Sequence, residues 1–509
     1  VGFTTLDYLV VVLYLAGVTI FGILAAGRQR STADYFLGGH CIPWWAVLFS
    51  VVATETSTLT FISIPAVAYG GTLTFLQITF GYILGRIFVS LFFLPRYFQG
   101  QLSTAYQFLG SRFGDSMRHI TSTTFMVTRL LADGVRLFAA AIPIAILFRL
   151  AGIDIPDLQI YIIAILIISL ITLVYTFLGG IRAVVWMDVT QMTVYIGGAL
   201  LATVVILTHL PEGFSSALAS LRAAGKLKLI YWGFDLNFKD FLAQPYTFLT
   251  AFLGGGVFSI ASHGTDQLIV QRLLSTRNLR SAQKALIGSG LVVFLQFSLF
   301  LGIGLLLFVF YQGASPAQLG LATADEVFAK FIVEQLPAGL SGLIFAAILA
   351  AAMSTLSSSI NSLASATTLD IYKPLWGKNN SPQKDMVISR LITITWGFIL
   401  TGSAIVFALL QLRAGGERPA VVELGLAIAS YTYGGLLGAF SLGILSKTIR
   451  RKDAVLGFFS GLFTMLFLVR GPIQNLLPGE GLTLAWPLYT VAGGSIVIVV
   501  GYLSKILRR

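Results

Sequence analysis

Leu349-Ala-Ala-Ala-Met-Ser-Thr-Leu-Ser-Ser-Ser359 decides how the rest of the chain is read. It lies inside an apolar run from Leu340 to Leu369, long enough to cross a bilayer as a helix. Hydroxyls stand at Ser354, Thr355, Ser357, Ser358 and Ser359. Spacings of three and four put Ala351, Ser354, Thr355 and Ser358 on one helical face, with Ser357 on the flank that Ser354 shares. Short oxygen-bearing side chains without charge suit a dehydrated monovalent cation, which needs hard oxygen ligands. The competing reading is close packing, because Ser, Thr and Ala also let membrane helices approach one another.

The rest of the composition agrees with a bilayer. The chain has 509 residues, 56% apolar and 11% charged, and a mean hydropathy of +0.87. With repeated apolar runs of about 20 residues, it is an all-α polytopic membrane protein. A net charge of +12 does not point to nucleic acid, because the basic residues lie in loops between spans rather than on one soluble face. One cysteine, Cys41, excludes an intrachain disulfide, and four scattered histidines show no zinc spacing.

Thirteen spans are expected, at 5–27, 42–70, 73–94, 119–149, 158–178, 183–208, 245–263, 283–312, 337–367, 386–412, 419–446, 454–471 and 484–506. The first has no basic residue before it and Arg28 and Arg30 after it, which reads as a retained span with its amino end outside. An odd number of spans then puts the carboxyl end in the cytoplasm. Inside loops hold basic residues from Arg30 through Arg182 and Arg272 to Arg508 and Arg509. Short outside loops hold Arg149, Lys330, Arg413, Arg418 and Arg470, the asymmetry that the positive-inside rule requires.

The second span reads Ala53-Thr-Glu-Thr-Ser-Thr-Leu-Thr-Phe-Ile-Ser-Ile-Pro65. So many polar side chains and a proline predict a helix that breaks, with its open backbone buried in protein or lining a wet cavity. Five spans later Gly254-Gly-Gly256 offers a second break, unless those glycines only allow close packing. Two breakable helices, each opening a group of five, point to an inverted repeat with its binding site near the midplane. The expected division is an extra helix and loop at 1–41, repeats at 42–208 and 245–446 around an outside loop at 209–244, and two closing helices at 447–509.

Ionisable residues inside spans are costly and usually functional. Here they are Glu55, Arg86, Asp188 and the trio Arg129, Asp133 and Arg136, whose i,i+4 and i,i+3 spacings share a face. One arginine neutralises Asp133 and leaves the other for Glu55 or an anionic solute, unless all form an internal ion-pair lattice. Arg86, nearer the cytoplasmic end of its span, is expected to snorkel or tie down a loop. His263 reads as a structural interfacial residue. Gln77 is a lone amide in its span, either a ligand or an interhelical hydrogen bond.

The hydroxyl-rich stretch, with Thr368-Leu-Asp-Ile-Tyr372 after it, resembles the sodium/solute symporter family. Phe177-Leu-Gly-Gly-Ile-Arg182 through Asp188-Val-Thr-Gln191, Thr265-Asp-Gln-Leu-Ile-Val-Gln-Arg272, Gly81-Tyr-Ile-Leu-Gly-Arg86 and Tyr431-Thr-Tyr433 are similar to it as well. The resemblance implies a LeuT-type five-plus-five inverted repeat and solute import by alternating access, driven by sodium. Carried over by position, a first sodium site would use Ala53, Thr56, Ala351, Ser354 and Thr355. A second would use Asp188, Ser354, Ser357 and Ser358, giving two sodium ions per cycle and no organic cofactor.

Arg136 favours a small organic anion, such as a sialic acid or a monocarboxylate, whereas Glu55 favours an amine or polyol. Where sugar carriers of the family have polar and aromatic residues, this chain has Glu55 and Ser262-His263, which argue against a hexose. Candidate contacts are Thr54, Glu55, Ser57, Thr60, Gln77 and Arg136, with Phe248 and Tyr431 as gates. The alternatives are proton coupling through Glu55 or Asp188, or a sodium symporter for sugars, polyols or amino acids. No nucleophile with a base and no metal cluster supports an enzyme. The expected partners are the solute, sodium and the lipid bilayer of the cell membrane, with the chain acting as a monomer and no nucleic acid.

Overall fold

A computed structural model describes residues 4–27, 29–150, 155–210, 212–321, 323–413, 421–468 and 483–508; Arg28, Arg418, Arg470 and Arg509 of the loop-charge argument lie outside them. The described residues are helical, with no strand. The long elements are α1 (Thr5–Ala25), α2 (Trp44–Glu55), α3 (Thr58–Gly70), α4 (Gln77–Phe92), α5 (Asp115–Leu150), α6 (Asp157–Thr208), α7 (Phe248–Gly264) and α8 (Gln267–Leu274). They continue as α9 (Leu279–Phe310), α10 (Asp325–Gln335), α11 (Leu340–Ala366), α12 (Pro382–Arg413), α13 (Val421–Leu445), α14 (Arg451–Leu468) and α15 (Pro487–Leu507). Each expected span carries helix. Among the described residues eight helices could cross a membrane by length and composition, or nine with the bent pair α2 and α3 as one. That figure is below thirteen partly because α6 counts once although it is two arms meeting at Gly180, where φ is 54° and ψ −151°. This backbone region is essentially open to glycine alone.

The hydroxyl-bearing α11 is the centre of the molecule. In its most apolar stretch 94% of residues are buried, against 17% for α1 on the periphery. It packs along α6, α5 and α1 and meets both α2 and α3. The second span breaks where its composition predicts. Thr56 and Ser57 are extended, and the axes on either side are bent by 61°. Ser57 restarts the helix with a capping arrangement in which its backbone N–H donates to the Thr60 hydroxyl at 3.3 Å.

The other break is not at Gly254-Gly-Gly256. α7 runs through these glycines unbroken and ends at Gly264, and α8 restarts after Asp266, whose carboxylate accepts from the Leu268 N–H at 2.9 Å. The glycines serve packing. A Cβ on Gly81 of α4 would come within 2.3 Å of the Phe252 carbonyl, and one on Gly255 within 2.6 Å of Ile78. Small residues at such contacts let helix backbones approach. Two helices are thus interrupted, one at Thr56-Ser57 and one at Thr265-Asp266.

Candidate binding cavity and ion sites

A cavity of about 360 Å³ lies between the two interrupted helices, within the range for small-molecule sites. Thr54, Glu55, Ser57, Thr60 and Arg136 line it, as the sequence suggests for a contact set. Phe75, Tyr82, Phe258, Phe297 and Trp486 supply its apolar wall. Gln77 is drawn away from it. Fully buried, its amide donates to the Thr74 and Tyr246 carbonyls at 2.9 Å each and accepts from the Tyr231 N–H at 3.1 Å, fastening the 209–244 loop. Phe248 is not among the lining residues either: its ring stacks on Phe252 and leans on Trp232. Tyr431 stacks on Tyr489. Two residues on, Tyr433 lines the cavity instead.

The buried charges form a lattice whose main members come from distant parts of the sequence. Arg86 does not snorkel: it is fully buried and grips both Glu55 oxygens, at 2.6 and 2.5 Å. The other partner of Glu55 is His263, whose Nε2 lies 2.7 Å away on the cavity wall. This histidine is therefore a site residue rather than an interfacial one. Arg129 is saturated by Asp266, by the Tyr433 hydroxyl at 2.5 Å and by Asp133 at 3.4 Å. Asp133 accepts from Ser359 at 2.6 Å through its other oxygen. Arg136 differs. Among the described residues it has one contact, Nη1 to Asp133 at 3.4 Å, and its side chain remains 19% exposed on the cavity wall. A guanidinium carries five N–H donors, so Arg136 has donors to spare.

The residues expected at the first sodium site are largely brought together. Ala53, Thr56, Ala351 and Ser354 line a small void of about 10 Å³, roughly one water-sized sphere. Gln191 lines it too, unanticipated from sequence. Thr355 lies one face over, beside Ser57, Asp133 and Arg136, and its hydroxyl donates to the Ala351 carbonyl at 3.1 Å.

At the second site Asp188 is fully buried and accepts from Ser354 at 2.6 Å and Ser50 at 2.5 Å. Arg272 also reaches it, at 3.2 Å, and donates to Ser358. Ser357 turns back to the Ser354 carbonyl at 3.0 Å. Arg272 is not a loop residue, since all of α8 is buried. The sequence signal for this was the polar-apolar mixture of Gln267, Gln271 and Arg272 on one short helix, which has no place in a solvated loop rich in Leu, Ile and Val.

Comparison with known proteins agrees with this geometry. Residues 35–461 match the sodium:solute symporter family. The chain is 30% identical over 505 residues to the sodium/sialic acid symporter SiaT of Proteus mirabilis (strain HI4320), covering 99% of this chain and 95% of that one. It is 30% identical over 477 residues to the sodium/iodide cotransporter of Homo sapiens, covering 91% and 70%. A solved structure of a Na+-coupled sialic acid symporter in a substrate-bound, outward-open state is similar at a TM-score of 0.83 and 29% identity, covering 99% of this chain and 98% of that one. This chain therefore belongs to the sodium:solute symporter family: it is an all-α membrane transporter of LeuT-type fold that couples solute movement to sodium, and it is not an enzyme.

Proposed function

We propose that the solute is a polar organic acid held by its carboxylate on Arg136 and imported with two sodium ions by alternating access. The observation that carries this reading is the unequal use of two neighbouring arginines. Both line the cavity, but Arg129 is engaged by Asp266, Tyr433 and Asp133, whereas Arg136 has one long contact, to Asp133, among the described residues. Glu55, the residue that argued for an amine, is neutralised by Arg86 and has His263 Nε2 at hydrogen-bond distance. The named relatives support an anion, being a sialic acid symporter and an iodide cotransporter.

The first ion would sit in the small void with Ala53, Thr56, Ala351 and Ser354, with Thr355 adjoining. The second would rest on Asp188 with Ser354, Ser357 and Ser358, sharing that carboxylate with Arg272. Proton coupling is disfavoured because Glu55 and Asp188 each already hold an arginine as counter-charge, which a protonated carboxyl would leave unpaired. The repeat division at 42–208 and 245–446, the outside amino end and cytoplasmic carboxyl end, and a monomeric working unit complete the reading. The interrupted helix heading each half and the loop charges support the first two.

In proteoliposomes, N-acetylneuraminate uptake is expected to require an inward sodium gradient and to rise with the second power of sodium at limiting concentration. Arg136→Ala is expected to weaken uptake by about 10- to 100-fold, the worth of a charged hydrogen bond. Ser354→Ala with Thr355→Ala is expected to remove the sodium dependence. Accumulation driven by a proton gradient alone, or Arg136→Ala uptake equal to wild type, would refute the reading.

A further inference from the structure

The carboxylates around the cavity are matched with bases, with one exception. Glu55 has Arg86 and His263, Asp133 has Arg129 and Arg136, and Asp266 has Arg129. Asp325 begins α10, lines the same cavity beside Ser63, and makes no ion pair among the described residues. The Ser63 hydroxyl donates to it, and the next residue, Glu326, carries the same sign.

A bare carboxylate in a cavity that also receives an anion repels it. Its presence makes physical sense where the solute brings donors of its own to that end. A cavity of about 360 Å³ is also far larger than a halide or a three-carbon acid needs.

We propose that Asp325, together with Ser63, is a specificity-determining acceptor for hydroxyl or amide N–H groups on the part of the solute remote from its carboxylate. The site then selects polyhydroxylated acids over short monocarboxylates and halides. This rests on Arg136 as the carboxylate anchor, and it adds a second pole that hydrogen-bonds the rest of the molecule. A half-buried acceptor lining the cavity discriminates, because a solute without the donor leaves it unpaired.

The test compares binding of N-acetylneuraminate, lactate and iodide to detergent-purified full-length protein in saturating sodium. Wild type, Asp325→Ala, Asp325→Asn and Arg136→Ala are measured, with sodium-induced thermal stabilisation confirming that each variant is folded. Asp325→Ala is expected to weaken N-acetylneuraminate about 10-fold or more. Lactate and iodide stay unchanged or tighten, because a repelling charge is gone. Asp325→Asn retains an acceptor oxygen and falls between. In transport the same change raises KM and leaves kcat in place. Arg136→Ala is expected to weaken both acids alike, which separates the two assignments.

N-acetylneuraminate affinity within twofold of wild type in Asp325→Ala would overturn the proposal. So would equal weakening of all three ligands, or a wild type that does not prefer N-acetylneuraminate to lactate. A selective loss in Asp325→Ala beside an unaffected Arg136→Ala would uphold the acceptor and refute only the anchor.

Discussion

Asp325 shows how a single carboxylate ties stability to pH. It lies on α10, outside the spanning helices, and burial pushes its carboxyl above the ordinary value, with Glu326 adding to the effect and the Ser63 hydrogen bond opposing it. The folded protein therefore keeps this proton over a pH window in which the unfolded chain has released it. Folding is disfavoured progressively as pH rises through that window, and the cost is constant above it. Asp325→Asn is free of this term. Its Tm in detergent is expected to exceed that of wild type at pH 7.5, with the gap closing as pH falls toward about 4, the ordinary carboxylate range. An equal gap at both ends would mean that ionisation is not the cause. That Thr54 to Thr60 would line a cavity was legible because the polar side chains crowd one broken span. Gln77 stayed open between ligand and hydrogen-bond partner because a lone amide in a helix looks the same whether it faces a ligand or a loop carbonyl.

The contact of α4 with α7 turns on glycines that are not equivalent. A Cβ at Gly81 meets backbone at 2.3 Å, whereas one at Gly256 meets nothing closer than 3.5 Å. Gly81→Val is expected to force the helices apart at a cost of about 1–3 kcal/mol. Gly256→Ala is expected to be neutral or slightly stabilising, since alanine is the better helix former. Thermal unfolding of the two variants checks this, and equal losses would show that packing does not distinguish the sites. The same geometry explains why a triple glycine was a misleading sign of a break. Glycine permits a break and permits close approach, and only the neighbouring backbone tells which. The real interruption at Thr265-Asp266 is marked by an aspartate that caps the following helix, a signal readable in the sequence.

At the scale of the whole molecule, the carboxyl end of α11 is fastened to the start of α5. Asp370, fully buried just beyond α11, accepts from Arg118 Nε at 2.7 Å and from the Thr104 hydroxyl at 2.7 Å. Arg118 also holds the Leu369 carbonyl at 2.6 Å. These contacts join the start of α5 to the central helix. A buried carboxylate that loses its cation costs about 3–5 kcal/mol, enough to move a two-state balance from one side to the other. Arg118→Ala is expected to raise thiol labelling of a cysteine placed at Ser365, next to Gln267 in this structure, in a background with Cys41 replaced by serine. Labelling as slow as in the parent would show that these contacts do not hold that end closed.

Apolar runs, loop charges and the hydroxyl spacing of Ser354 to Ser358 determined by themselves that this is a membrane protein, where its helices lie and which helix is central. These signals are local, carried by neighbours in sequence and by the two periods of a helix. Only the tertiary structure decided which charges meet: Glu55 with Arg86 and His263, Arg129 with Asp266, Asp188 with Arg272. Ion pairing inside a low-dielectric bundle depends on distances between helices far apart in the chain, and no spacing along the sequence records those distances.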